Sequence, residues 1–177
     1  MNETLHAHQQ DMREGFAWGA PGMTVSGLAW LAAAAVAMRG SFMSAVLTLF
    51  AGGAVIHPLG VLLARAVGRR GANAPGNPMA TLALESTAWM LALLPIAFAV
   101  ASREPAWFFP AMLSVIGGRY LVFQSIYGAR LYWLCGGALI ATAWFVVLLR
   151  LDPALGAAAG GLVELAFAAV LWGKGRG

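Results

Sequence analysis

Residues 42–64 read FMSAVLTLFAGGAVIHPLGVLLA, a run of 23 residues without a single Asp, Glu, Lys or Arg. A helix needs about 20 mostly apolar residues to cross a bilayer, and similar runs recur along the chain. The chain is 60% hydrophobic and only 10% charged, whereas a soluble domain is about a quarter charged. This composition excludes a disordered chain, a coiled coil and a secreted disulfide-rich domain. It predicts an all-α, polytopic membrane protein.

Working outward from this run, we predict six transmembrane helices. They cover residues 16–38, 42–64, 79–101, 106–127, 131–149 and 154–172. Residues 1–15 form a polar N-terminal tail, residues 16–173 a single six-helix domain, and residues 174–177 a short basic C-terminus. The tail lacks the basic start and the apolar core of a signal peptide, so we expect it to be retained.

Local signals mark several helix ends. Asn77 and Asp152 are each followed by a proline, and an N-capping residue before a proline predicts that a helix begins there. Ser41 is a candidate cap for the second span. The link at Gly128 is so short that the fourth and fifth spans are predicted to pack as antiparallel neighbours.

The Lys and Arg residues predict the orientation of the chain. The tail, the loops after the second and fourth spans, and the C-terminus carry seven of them, and the opposite side carries three. Because cytoplasmic loops are enriched in Lys and Arg, both termini are predicted to be cytoplasmic, in a bacterial inner membrane. The basic residues are scattered between apolar runs, so we expect the lipid bilayer as partner and no nucleic acid.

Four ionisable residues fall inside the predicted spans, on four different helices. They are His57, Glu85, Arg119 and Glu164. A charge at the centre of a spanning helix costs roughly 2.5–3.5 kcal/mol, so these groups are expected to face the bundle interior or change protonation state. At about 1.5 Å per residue, they lie about 9–14 Å from the cytoplasmic ends of their helices. This similar depth predicts an intramembrane polar site that opens toward the cytoplasm.

Two further side chains extend the candidate site. Tyr120 and Gln124 are four residues apart and so share one face of their helix; we expect them to orient a small solute. Arg119 is expected to hold an anionic group or to lock a carboxylate. With Arg119 charged, both glutamates ionised and His57 neutral, the four groups would carry a net charge of −1. Because a net charge is disfavoured in a low dielectric, one proton is expected on a glutamate or on His57. The leading hypothesis is therefore transport or sensing of a small solute, with proton coupling.

The competing hypothesis is a structural or accessory membrane subunit, in which the same polar residues hold the helices together. An enzyme is not predicted, because the sequence has no phosphate-binding loop, no paired-histidine zinc motif and no GxSxG nucleophile motif. No metal or cofactor is expected. The short chain favours a homodimer, as a hypothesis from size alone.

Several short segments share a membrane-biased pattern of glycine, tryptophan and polar residues. They are SGLAW (26–30), NPM (77–79), ESTAW (85–89), WFFPAM (107–112), IGGRY (116–120) and YG (127–128). In this order they resemble a family of small bacterial integral-membrane proteins of unknown function. The resemblance implies the multi-span architecture, and it implies no activity, cofactor or site residue.

Overall fold

The computed structural model describes residues 2–175, which form α-helices joined by turns and short loops. The helices are α1 (Asn2–Phe16), α2 (Ala20–Ala37), α3 (Phe42–Ala66), α4 (Pro78–Arg103), α5 (Phe108–Tyr127), α6 (Leu131–Leu148) and α7 (Pro153–Lys174). Within residues 2–175, six helical segments are long and apolar enough to cross a membrane. The prediction of an all-α protein with six spans is therefore confirmed.

The first span differs from its predicted bounds at its start. Residue 16 belongs to α1, and a short 3-10 turn at Ala17–Gly19 separates α1 from α2. Ala17, Trp18 and Gly19 have φ angles of 48°, 59° and 76°. Three left-handed residues in a row cannot continue a right-handed helix, so the chain changes direction here. The polar tail predicted for residues 1–15 is itself helical from Asn2 onward.

The capping chemistry at the other helix starts follows the predicted pattern, with one exception. The Asn77 side chain accepts a hydrogen bond from the Met79 amide (2.9 Å), and Asp152 accepts one from the Ala154 amide (2.8 Å). These bonds satisfy amides that have no partner within their own helix. Ser41 makes no such bond to the backbone of α3. Its hydroxyl donates instead to the Ser44 hydroxyl (2.6 Å).

The six spans pack as two groups of three. In one, α2 lies between α3 and α7, and in the other, α5 lies between α4 and α6, its predicted antiparallel neighbour. Contacts of α7 with α5 and α6 join the groups. Trp30 of α2 packs against Phe109 of α5, and Leu113 of α5 lies next to Gly160 of α7. Trp30, Phe109 and Leu113 are fully buried. Helices α3 and α4 occupy the free edges and make almost no contact with each other, so a gap remains between them.

Helix α1 lies across one end of the bundle. Its Arg13 donates a hydrogen bond to the carbonyl of Tyr127 at the end of α5 (2.5 Å), and its Asp11 accepts bonds from the α3–α4 loop. Arg69 of the same loop donates to the carbonyl of Gly175, near the C-terminus. The four segments that the charge count assigned to one side therefore meet at one end of the bundle. That this end is cytoplasmic stays a prediction.

Candidate functional site

A cleft of about 710 Å³ lies between α2, α3, α4 and α5. Its walls are mostly apolar. Six polar side chains of the spans stand out among its lining residues, namely Ser26, His57, Thr87, Arg119, Tyr120 and Tyr127. Its volume is in the range of small-molecule sites, which are typically apolar clefts with a few convergent polar groups.

Arg119 extends from α5 into this cleft. Its guanidinium donates a hydrogen bond to the Thr87 hydroxyl (3.0 Å) and contacts the Met90 sulfur (3.7 Å). It also lies over the ring of Phe123, at 5.0 Å from the ring centroid. The Nε atom is buried and has no hydrogen-bond partner among the described residues. Arg119 thus has donor capacity to spare.

Arg119 has no carboxylate partner among residues 2–175. The ion pair found there joins Arg70 to Asp11, so neither Glu85 nor Glu164 lies within 4.0 Å of the guanidinium. The expectation that Arg119 locks a carboxylate is therefore not met by this arrangement. The remaining expectation, that it holds an anionic group from outside the chain, fits the unfilled donor and the adjoining cleft.

Glu164 lies deeper than the cleft, on α7. It is fully buried (0% exposed). One carboxyl oxygen accepts a hydrogen bond from the Tyr120 hydroxyl (3.0 Å), and the other has no partner in the described part of the chain. Because Tyr120 lines the cleft and Glu164 does not, the tyrosine connects the carboxyl to the cleft wall.

The remaining predicted residues do not all face this space. His57 lines the cleft from α3 and is exposed. Glu85 is exposed on α4 and lines no part of the cleft. It precedes Thr87 by two positions, or about 200° around the helix axis, which turns it away from Arg119. Gln124 of α5 is also absent from the cleft lining. The similar depth of the four ionisable groups thus does not bring all four together.

Three neighbours of Arg119, namely Phe123, Thr87 and Met90, were not among the predicted site residues. Phe123 follows Arg119 by four positions on the same helix, a spacing from which their contact follows directly. Thr87 lies on a different helix, and nothing in its local sequence distinguishes it from Thr81. Its contact with Arg119 depends on how α4 is rotated against α5.

The end of the cleft nearest α1 is closed. Met12 and Phe16 of α1 contribute to its lining, together with Asn73 of the α3–α4 loop. Met12 is 4% exposed, so it packs as part of the core and does not project into solvent. The predicted opening toward this end is therefore covered by α1 in this conformation.

Comparison with known proteins gives a family and no relative of known activity. Neither the curated proteins nor the solved structures contain a match to the chain. The profile of one family, described as a family of unknown function (DUF7010), matches residues 5–174. This match covers helices α2 to α7 in full, and α1 except for its first three residues. It confirms the resemblance seen in the sequence, and the chain belongs to the DUF7010 family of unknown function.

Proposed function

We propose that this integral membrane protein binds a small anionic solute in the cleft and acts as a transporter or a sensor for it. The observation that carries the proposal is the state of Arg119. Its charge faces a cleft inside a membrane-spanning bundle, without a carboxylate partner among the described residues. An unpaired charge is costly away from water, and ionisable residues inside membranes commonly mark substrate pathways. A bound anion would supply the missing charge.

The surrounding residues support specific roles. Thr87 offers a hydroxyl group beside Arg119, Tyr120 lines the same cleft, and His57 offers an imidazole from α3 across the cleft. These groups would orient the solute. Gln124, to which the sequence assigned this role, lies outside the cleft lining, so we assign it no contact with the solute. The proposal is of a binding protein and not of an enzyme.

Glu164 is the best candidate for an exchangeable proton. An ionised carboxylate that is fully buried and accepts a single hydrogen bond would carry a large desolvation cost, whereas a neutral carboxyl costs far less. We therefore infer that Glu164 is protonated when the cleft is empty. Tyr120 contacts its carboxyl and also lines the cleft, which gives the solute a route to influence that proton.

The first experiment measures anion binding through thermal stability. The purified protein is melted in non-ionic detergent with acetate, benzoate or inorganic phosphate, at constant ionic strength. A ligand that binds the folded state at a hundred times its Kd stabilises it by about 2.7 kcal/mol. We expect one or more of these anions to raise the Tm of the wild type, and Arg119→Gln to abolish the rise.

The matched control is Arg103→Gln, which removes an exposed arginine at the end of α4. This variant should keep the full anion-dependent rise in Tm. If no anion shifts the Tm of the wild type, or if Arg119→Gln responds as strongly as Arg103→Gln does, the anion site is wrong.

Proton coupling is tested by Glu164→Gln, which keeps the shape of the side chain and removes its exchangeable proton. In vesicles loaded with a pH-sensitive dye, an imposed gradient of the bound anion should move protons faster with the wild type than in protein-free vesicles, where an undissociated acid crosses the lipid unaided. With the variant, protons should move no faster than in protein-free vesicles. The variant should keep the anion-dependent rise in Tm, because Glu164 does not line the cleft. Proton movement in Glu164→Gln above the rate in protein-free vesicles would contradict the assignment.

A second candidate function, the accessory subunit, is favoured by Glu85. This side chain is exposed on the outer surface of α4, where Trp89, four positions along, is 69% exposed. A carboxyl group facing lipid within a span is unfavourable, and a partner chain or a second copy of this chain would cover it. If the protein is an accessory subunit, no anion should change its Tm. The same melting series therefore distinguishes an accessory subunit from a solute-binding protein.

The proposed location rests on the positions of the basic residues. Six of the seven basic residues used to predict orientation lie at or near the end covered by α1, and the seventh, Arg176, lies outside the described residues. An excess of Lys and Arg is typical of the cytoplasmic side. We therefore propose a multi-pass protein of the inner membrane, with both termini in the cytoplasm.

A further inference from the structure

The cleft opens sideways, through the gap between α3 and α4. These helices make almost no contact with each other. Leu84 and Leu91 of α4 line the cleft and are 69% and 53% exposed. Ala54 and His57 of α3 line it from the other side and are also exposed. In a bilayer this gap faces the lipid chains, whereas the end nearest α1 is closed by Met12 and Phe16.

An apolar groove continues from the cleft along the same gap. Its volume is about 550 Å³, and it shares Phe50, Leu91 and Leu94 with the cleft. The rest of its lining comes from α4, as far as Ser102. At about 1.5 Å per residue, Ser102 lies roughly 22 Å along α4 from Thr87. The polar and apolar ends of the combined space are thus separated by the length of a long alkyl chain.

The polar end of this space suits a single negative charge. Arg119 is the cation that faces it, with the Thr87 hydroxyl alongside and His57 on the α3 wall. Both intramembrane glutamates are turned away, since Glu164 lies behind Tyr120 and Glu85 faces outward. One guanidinium matches one carboxylate, which it can bind through two parallel hydrogen bonds.

We propose that the ligand is a single-chain amphiphile with one carboxylate, which enters from the bilayer between α3 and α4. This inference rests on the proposed function and names the class of its solute. The carboxylate pairs with Arg119, and the alkyl chain lies in the groove that leads toward Ser102. Because the chain leaves lipid for an equally apolar groove, it gains little on binding. Affinity therefore comes from the head group, and the groove provides the space that the chain occupies.

The test uses a palmitate analogue with a photoactivatable diazirine at the end of its chain, added to the protein in phosphatidylcholine vesicles. The label should attach to α4 between Leu91 and Ser102 and to Phe50 of α3. Losing a hydrogen-bonded charge pair should reduce labelling about tenfold in Arg119→Gln. Arg119→Lys, which keeps the charge but cannot form two parallel hydrogen bonds, should restore part of it. Unlabelled palmitate should compete, and hexadecanol and phosphatidylglycerol should compete about tenfold less well.

A second variant keeps the test independent of Arg119. Ala99 lines the groove and not the cleft, so Ala99→Trp should block labelling and leave the acetate-dependent rise in Tm intact. Labelling spread evenly around the bundle, or equal competition by hexadecanol or phosphatidylglycerol, would overturn the proposal. If acetate raises the Tm through Arg119 and palmitate does not compete, the amphiphile is wrong and the anion site stands. If neither binds, both are wrong.

Discussion

Gly136→Val is expected to abolish the folded protein, whereas Gly137→Val, one position along, is expected to be tolerated. A Cβ atom on Gly136 would lie 2.5 Å from the carbonyl oxygen of Gly117 on the neighbouring helix α5. Backbone cannot yield as a flexible side chain can, so α5 and α6 would have to separate. Such close approach at small residues is a main source of helix association in membranes. A Cβ atom on Gly137 would have no atom of the described residues of neighbouring elements within 4 Å.

The measurement is the yield of monodisperse protein after extraction, together with its Tm. The contact is reciprocal, since a Cβ atom on Gly117 would lie 2.8 Å from the carbonyl oxygen of Gly136. Gly117→Val should therefore fail in the same way, and Gly118→Val, which meets open space, should behave as the wild type does. Equal behaviour of the two members of either pair would show that the α5–α6 contact is wrong.

Asp11→Ala is expected to release α1 from the end of the bundle. The Asp11 carboxylate accepts hydrogen bonds from the Ala74 amide (2.8 Å) and the Asn77 side chain (2.7 Å). Its side chain is 16% exposed. Hydrogen bonds to a charged group contribute about 1.5–3 kcal/mol each, so losing both should cost about 3 kcal/mol. Amide hydrogen exchange in α1 and in the α3–α4 loop should rise roughly a hundredfold.

The matched control is Arg70→Ala. Arg70 forms the ion pair with Asp11 (2.5 Å), but its side chain is 52% exposed. Exposed ion pairs contribute at most about 1 kcal/mol, so exchange in α1 should rise less than tenfold. If Arg70→Ala raises exchange as much as Asp11→Ala does, the ion pair holds α1 and the two hydrogen bonds do not.

The six spans and the starts of α4 and α7 were predictable because their causes are local. A run such as 42–64 crosses a bilayer whatever its neighbours are, and Asn77 and Asp152 cap their helices through bonds to residues two positions away. The break at Trp18 was not predictable in the same way. Its left-handed backbone is held by distant contacts, since the Trp18 carbonyl accepts a hydrogen bond from the Tyr132 hydroxyl and its ring faces Arg13 at 4.7 Å.

The candidate site was predictable in part. Arg119, Tyr120 and His57 do line one cleft, and Glu164 reaches it through Tyr120. The sequence also placed Glu85 in this group, and the structure turns it outward. Depth alone supported that assignment, and depth does not say which way a side chain points around its helix axis.

The sequence by itself determined how many times the chain crosses the membrane and how deep each polar residue lies. Both follow from the length of apolar runs and from a fixed rise of about 1.5 Å per residue. Only the tertiary structure decided the rotation of each helix. In water, an apolar stripe marks the side that faces the core. In lipid, both the core and the surroundings are apolar, so no such stripe is needed. Close contacts such as Gly117 on Gly136 set the rotation instead, and with it which polar groups meet.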